Sequence, residues 1–215
     1  MYKGIIFDLD GTLLDTIVDL SNSVNEVLKK HNYPTHSHEA YKSFIGNGMR
    51  KLLERSLPEN GYNKIDEMQS EFLAQYDVQY MRNTKAYEGI GDLLDELQRL
   101  GIKFAVNSNK KDKYTKALIK EKFPNHFFVD VIGEQEGRPR KPDPQAALYI
   151  AQQMKLKPGE VLYIGDSKTD ILTGENAKMD TGAVAWGFDG REAMKHAGAT
   201  HFFEKPYDIL DIIIH

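Results

Sequence analysis

Two short acidic segments are the first places where this sequence could do chemistry. One is Asp8-Leu9-Asp10-Gly11-Thr12, directly after the apolar run Gly4 to Phe7. In an extended strand end Asp8 and Asp10 point the same way, because side chains alternate with period two. Two carboxylates then face one small space, so either a cation joins them or one carries a proton. Gly11 lets the backbone turn away tightly, and Thr12 offers a hydroxyl. The other segment, Gly165-Asp166-Ser167-Lys168-Thr169-Asp170, follows the run Val161 to Ile164. A helix starting between Asp166 and Asp170 lets both reach one site. Oxygen-only ligands suit a hard divalent cation, Mg2+ above all, and the spacing lacks the ligand run and closing Glu of an EF-hand.

Two further groups complete an anion site. Ser108, with Asn109 after it, ends the run Phe104 to Val106 and can give a hydroxyl and a backbone N–H to a phosphate oxygen. Lys141, in Arg138-Pro139-Arg140-Lys141-Pro142, is held between prolines and supplies a point charge. Carboxylates with a metal, a hydroxyl and a fixed ammonium describe phosphoryl transfer, in which charge spread over three oxygens must be neutralised. Lys110-Lys111 reads as a solvated helix start, with a lean of Lys110 toward the phosphate pocket as the alternative, and Trp186 reads as packing at a strand end. Asn47 and Arg50 are candidate substrate contacts.

The elements that must position these groups alternate. Apolar runs at Gly4 to Phe7, Phe104 to Val106, Val161 to Ile164 and Ala183 to Ala185, with a weaker one at Phe127 to Ile132, each read as buried strands. Between them lie helical stripes: Leu93, Leu94, Leu97 and Leu100, stopped by Gly101, and Ala146, Ala147, Ile150 and Met154 after Pro144. This pattern predicts an α/β fold with a doubly wound parallel sheet, whose ligands sit at the carboxyl ends of the strands. From about Asp15 to Tyr87 the periodicity is helical throughout. Its stripes are Leu20, Val24, Val27 and Leu28, then Met49, Leu52, Leu53 and Leu57, then Ile65, Met68, Phe72 and Tyr76, with no strand candidate among them. That interval reads as a small α-helical domain at 16–85 inserted into a core made of 1–15 and 86–215, leaving from a strand's carboxyl end as a lid.

Composition narrows the class. Twenty-eight Lys and Arg against 32 Asp and Glu leave a net charge of −4, which argues against a nucleic-acid or anionic-membrane binder. The absence of Cys removes disulfides, thiolate nucleophiles and cysteine zinc sites together. The apolar stretch at the start is too short for a signal peptide and no run is long enough to span a bilayer, so the expectation is a soluble, cytoplasmic protein, monomer or homodimer, whose partner is a small phosphorylated metabolite.

In this order and after these strands, the four segments resemble the four motifs of the haloacid dehalogenase superfamily, over essentially the whole chain. Within it the sequence is similar to the phosphoglycolate phosphatase group, through Phe44-Ile45-Gly46-Asn47-Gly48-Met49-Arg50, Trp186-Gly187-Phe188 and Gly198-Ala199-Thr200. The resemblance implies a Rossmann-like core with a helical cap. It makes Asp8 the nucleophile that forms an aspartyl-phosphate, and Asp10 the general acid and then base. Asp8, the carbonyl of Asp10 and Asp166 would hold Mg2+, with Asp170 a ligand or its support, while Ser108 and Lys141 bind the phosphoryl group. The function it implies is a Mg2+-dependent phosphatase of a small phosphomonoester, 2-phosphoglycolate foremost. A sugar phosphomutase of the same fold and a non-catalytic phosphate-binding regulator are the alternatives. Two departures stand out: Ser108 where Thr is as common, and Ala177-Lys178-Met179 in place of Ala-Gly-Met, which puts a Lys where close packing often favours glycine.

Overall fold

The computed structural model describes residues 1–214. In chain order its strands and α-helices begin with β1 (Gly4–Phe7), β2 (Leu14–Asp15), α1 (Ile17–Lys30), α2 (His38–Lys42), α3 (Met49–Ser56), α4 (Ile65–Gln79), β3 (Lys85–Ala86) and α5 (Ile90–Arg99). They continue with β4 (Lys103–Lys111), α6 (Asp112–Lys122), β5 (Phe128–Glu134), α7 (Gln145–Met154), β6 (Val161–Gly165), α8 (Lys168–Asn176), β7 (Asp180–Val184), α9 (Arg191–Lys195), β8 (His201–Phe203) and α10 (Asp208–Ile214). The chain divides into two compact units, Met1–Leu14 with Ala86 onward, and Asp15–Lys85.

The first unit is built on a six-stranded sheet in the order β5-β4-β1-β6-β7-β8, paired in parallel throughout. Ile5, Ile6 and Phe7 have no exposed surface, as a strand covered on both faces requires. The chain runs from β1 outward to β4 and β5, then returns past β1 to β6, so strand order reverses beside β1. Ile6, Ala105 and Tyr163 on the sheet pack against Ala146, Ala147, Ile150 and Met154 of α7, the stripe read from the sequence. Helix α5 ends at Gly101 through Ile102 N–H to Leu97 O at 2.9 Å and Gly101 N–H to Gln98 O at 3.1 Å. Leu100 falls past that helix and is 36% exposed, so it does not extend the buried stripe.

The sequence reading needs four corrections here. The strand expected at Phe104 to Val106 continues to Lys111, an edge strand forms at His201–Phe203, and α2, α9 and α10 carry no stripe long enough to register. Two-residue strands β2 and β3 also pair with each other where no strand was expected.

In the helical unit the three predicted stripes are buried, joined by Tyr41 of α2. Asp19 of α1, almost fully buried, accepts the backbone N–H of Asn83 and of Thr84 and the Thr84 hydroxyl, at 2.8 to 3.0 Å. Those bonds satisfy the backbone of the returning chain, which no neighbouring strand pairs there.

Candidate active site

Because β4, β1 and β6 are parallel neighbours with Phe7 in register with Val106 and Ile164, the residues after each come out on one edge of the sheet. Asp8 follows β1, and its N–H is held by Ile164 O at 2.9 Å. The chain then turns through Leu9, whose carbonyl accepts from Leu13 and Leu14, and through Gly11 at φ +85°. A Cβ at position 11 would lie 2.0 Å from an Asp166 carboxylate oxygen, and one at Gly187 only 2.1 Å from the Asp166 Cβ, so bare backbone walls in this acid. Trp186 is more than strand-end packing: its indole N–H donates to Thr12 O at 3.0 Å and fastens the turn.

Asp166 accepts the backbone N–H of Phe188 at 2.7 Å and faces the Thr12 hydroxyl at 3.4 Å. Asp170, in the first turn of α8, caps that helix by accepting the N–H and hydroxyl of Ser167 at 3.1 and 2.6 Å. Its other oxygen takes Lys141 Nζ at 2.6 Å, and the same ammonium lies 2.8 Å from Asp8 Oδ1. Oxygen atoms of Asp8, Asp166 and Asp170 all lie within 4.8 Å of one another.

Lys141 is thus shared by Asp8 and Asp170, with Asp166 beside them and no ammonium of its own, so the three buried carboxylates when ionised carry a surplus of two negative charges. Burial is the largest cause that pushes Asp8 up to about 7, with Asp170 next and Lys141 opposing both. Asp166 is pushed well above the usual carboxylate range, by burial and then by Asp8 and Asp170. Burial disfavours the Lys141 ammonium, but Asp170 and Asp8 outweigh it and hold its pKa well above the ordinary value. The residues fit a divalent cation: the donors are all hard oxygens, and two positive charges would balance the surplus.

Ser108 is buried within β4, its oxygen accepting Lys110 N–H at 3.2 Å. The Asn109 side chain has a job of its own. Its Oδ1 accepts Lys141 N–H at 2.9 Å and its amide donates to Lys141 O at 3.2 Å, so it clamps the backbone of the loop that carries the ammonium. Lys110 is not solvated and leans into the site, the alternative reading, though onto an acid: its side chain is 1% exposed and its ammonium meets both Asp10 oxygens, at 2.9 and 3.2 Å. Asn47 and Arg50 lie in the helical unit, where Asn47 accepts from Arg55 at 2.6 Å and Arg50 pairs with Asp66 and Glu54.

The Haloacid dehalogenase-like hydrolase family matches residues 5–184. This chain belongs to that family. Among its relatives, the phosphoglycolate phosphatase of Psychrobacter arcticus is 28% identical over 98% of this chain and 95% of its own. Phosphoglycolate phosphatase 1 of Pseudomonas aeruginosa is 30% identical over 96% of this chain and 78% of its own. The crystal structure of a predicted phosphoglycolate phosphatase from Haemophilus somnus superposes with a TM-score of 0.89, at 27% identity, over 99% of this chain and 98% of that one. Among the described residues of this hydrolase, no helix is long and apolar enough to cross a membrane.

The family pattern also explains Lys178. Helix α8 closes with Met179 N–H to Gly174 O at 2.9 Å and Lys178 N–H to Glu175 O at 3.0 Å, which places Lys178 at φ +60°. Backbone conformation, not close packing, is why glycine suits that position, since the Lys178 side chain is exposed.

Proposed function

We propose that this hydrolase is a Mg2+-dependent phosphatase of small phosphomonoesters, with 2-phosphoglycolate its favoured substrate. The observation that carries the reading is the buried Asp8–Asp166–Asp170 set at the carboxyl edge of the sheet, with one ammonium against Asp8 and Asp170. The names of the relatives support the substrate.

Asp8 attacks phosphorus: its carboxylate oxygen forms the new P–O bond as the ester P–O bond breaks. Asp10 gives its proton to the leaving oxygen, so the alcohol departs neutral. Water then attacks the aspartyl-phosphate while Asp10 takes a proton back, and phosphate and free Asp8 are restored. Lys141 and Ser108 hold the phosphoryl oxygens through both displacements, and the clamp from Asn109 keeps the ammonium in place. Asp8, the carbonyl of Asp10 and Asp166 would hold Mg2+, with Asp170 supporting the set through Lys141 and Ser167. When bound, the cation neutralises charge on the transferring group.

Phosphate release from a panel of phosphomonoesters that includes 2-phosphoglycolate, with Mg2+ or with EDTA, tests the reading in the parent and in Asp8→Asn. Release should require both Mg2+ and Asp8, and 2-phosphoglycolate should have the highest kcat/KM. No release from any ester by folded, Mg2+-supplied protein would refute it.

A further inference from the structure

Lys110 has no role in the steps above, yet it is a buried ammonium set against both oxygens of Asp10. Its position comes from an irregularity in the sheet. Between Asn107, which pairs with Ile132, and Lys111, which pairs with Glu134, the strand β4 spends three residues opposite the single residue Gly133 of β5. Such a bulge breaks the alternation of side chains and re-aims them. It can form here because Gly133 has no side chain: a Cβ there would lie 2.5 Å from Asp112 Cα and 2.6 Å from Lys110 O. The bulge is further held by Thr115, whose hydroxyl donates to Lys110 O at 3.2 Å. The same three residues thus serve three different atoms of the site. Ser108 accepts the N–H of Lys110, Asn109 clamps the backbone of Lys141, and Lys110 grips Asp10.

We propose that Lys110 is the positioning residue of Asp10, fixing through its two contacts the orientation in which the carboxyl group exchanges protons with the leaving oxygen and with water. This rests on the phosphatase reading, in which Asp10 is the acid and base. Lys110 does not touch the reacting atoms; it acts through Asp10. Removing it leaves the nucleophile and the phosphate-binding groups intact while the proton donor loses its fixed aim. The defect should follow the need for a proton at the leaving oxygen.

That dependence separates positioning from mere structure. The experiment compares kcat/KM of the parent and Lys110→Met on 2-phosphoglycolate, whose alkoxide must be protonated to leave, and on p-nitrophenyl phosphate, whose phenolate leaves unaided. We expect kcat/KM to fall about a hundredfold on the first, the scale of a lost general acid, and no more than a few-fold on the second. Lys110→Arg should recover part of the loss. The same substitution in an Asp10→Asn background should cost nothing more on either ester, and this double variant buries no unpaired carboxylate if Lys110→Met alone fails to fold. Equal losses on both esters, or a further loss in the Asp10→Asn background, would overturn the proposal. If the parent itself releases no phosphate from either ester, the phosphatase reading has failed instead.

Discussion

Replacing Asp8 with Asn should stabilise the metal-free protein while it abolishes turnover. In the fold Asp8 ionises at about 7, against 3.8 for an unperturbed Asp, because burial and Asp170 outweigh Lys141. A carboxyl group whose pKa is raised binds its proton more tightly in the folded state, so stability declines as pH climbs from about 4 to about 7 and is not regained above that. At 1.36 kcal/mol per unit, the ionised group costs the fold on the order of 4 kcal/mol at pH 8 and less than half of that at pH 5. Asn has nothing to ionise and keeps an oxygen for Lys141, which retains Asp170 as its partner. Thermal melts in EDTA at pH 8 should therefore place Asp8→Asn on the order of 10 °C above the parent, and at pH 5 the gap should shrink by more than half. Added Mg2+ should raise the parent at pH 8 and close much of the difference, since it relieves the same surplus charge. A variant less stable than the parent in EDTA at pH 8, or a gap independent of pH, would refute the electrostatic account of this site.

Other substitutions test separate links. Lys178→Gly should raise the melting temperature by about 2–4 °C, because it relieves roughly 1 kcal/mol of left-handed strain in an exposed lysine and leaves activity unchanged. Asp19→Ala should destabilise the helical unit by about 3 kcal/mol, since the Asn83 and Thr84 donors lose a buried acceptor; faster amide exchange at Asn83 and Thr84 would register it. Asn109→Ala should lower kcat/KM about tenfold by freeing the backbone of Lys141, with the Mg2+-induced melting shift preserved. Loss of that shift would place Asn109 among the groups that organise the acids instead.

The acids could be found in the sequence because each stands where a short apolar run stops, and in a parallel sheet such stops share one edge. Asp8 after Phe7 and Asp166 after Gly165 are cases of this rule, and register alone then brings them together. Lys110 escaped the same reading because alternation along β4 fails at the bulge, and the residue responsible, Gly133, lies on another strand. The partner of Asn109 is 32 residues away on a loop, and no local pattern joins them. Strand β8 was missed because His201 and Phe202 are only half-buried on the edge of the sheet, too weak an apolar signal over three residues. At Lys178 the sequence departed visibly from the family pattern, but the cause was a backbone angle that composition does not report.

Asp8 and Asp10 begin as equivalent residues, two apart on one strand end, and the proposed phosphoryl transfer through an aspartyl-phosphate needs them to differ. The difference comes from which lysine each one meets. Asp8 competes with Asp170 for Lys141 inside a surplus of negative charge, a setting that favours a cation and rewards transfer of charge away from the carboxylate. Asp10 has Lys110 across both oxygens and adds the least of the charges that raise Asp8. Since Lys141 is held by Asn109 and Lys110 follows it directly, one bulge in β4 governs both pairings. Gly133→Ala should then disturb the two halves of the proposed reaction together: the added methyl forces the backbone outward at Lys110 of β4 and at Asp112, the first residue of α6, moving the clamp on one lysine and the side chain of the other. Kinetics of that variant should show slower formation and slower breakdown of the aspartyl-phosphate. A defect in one half alone would mean that the two acids are positioned independently.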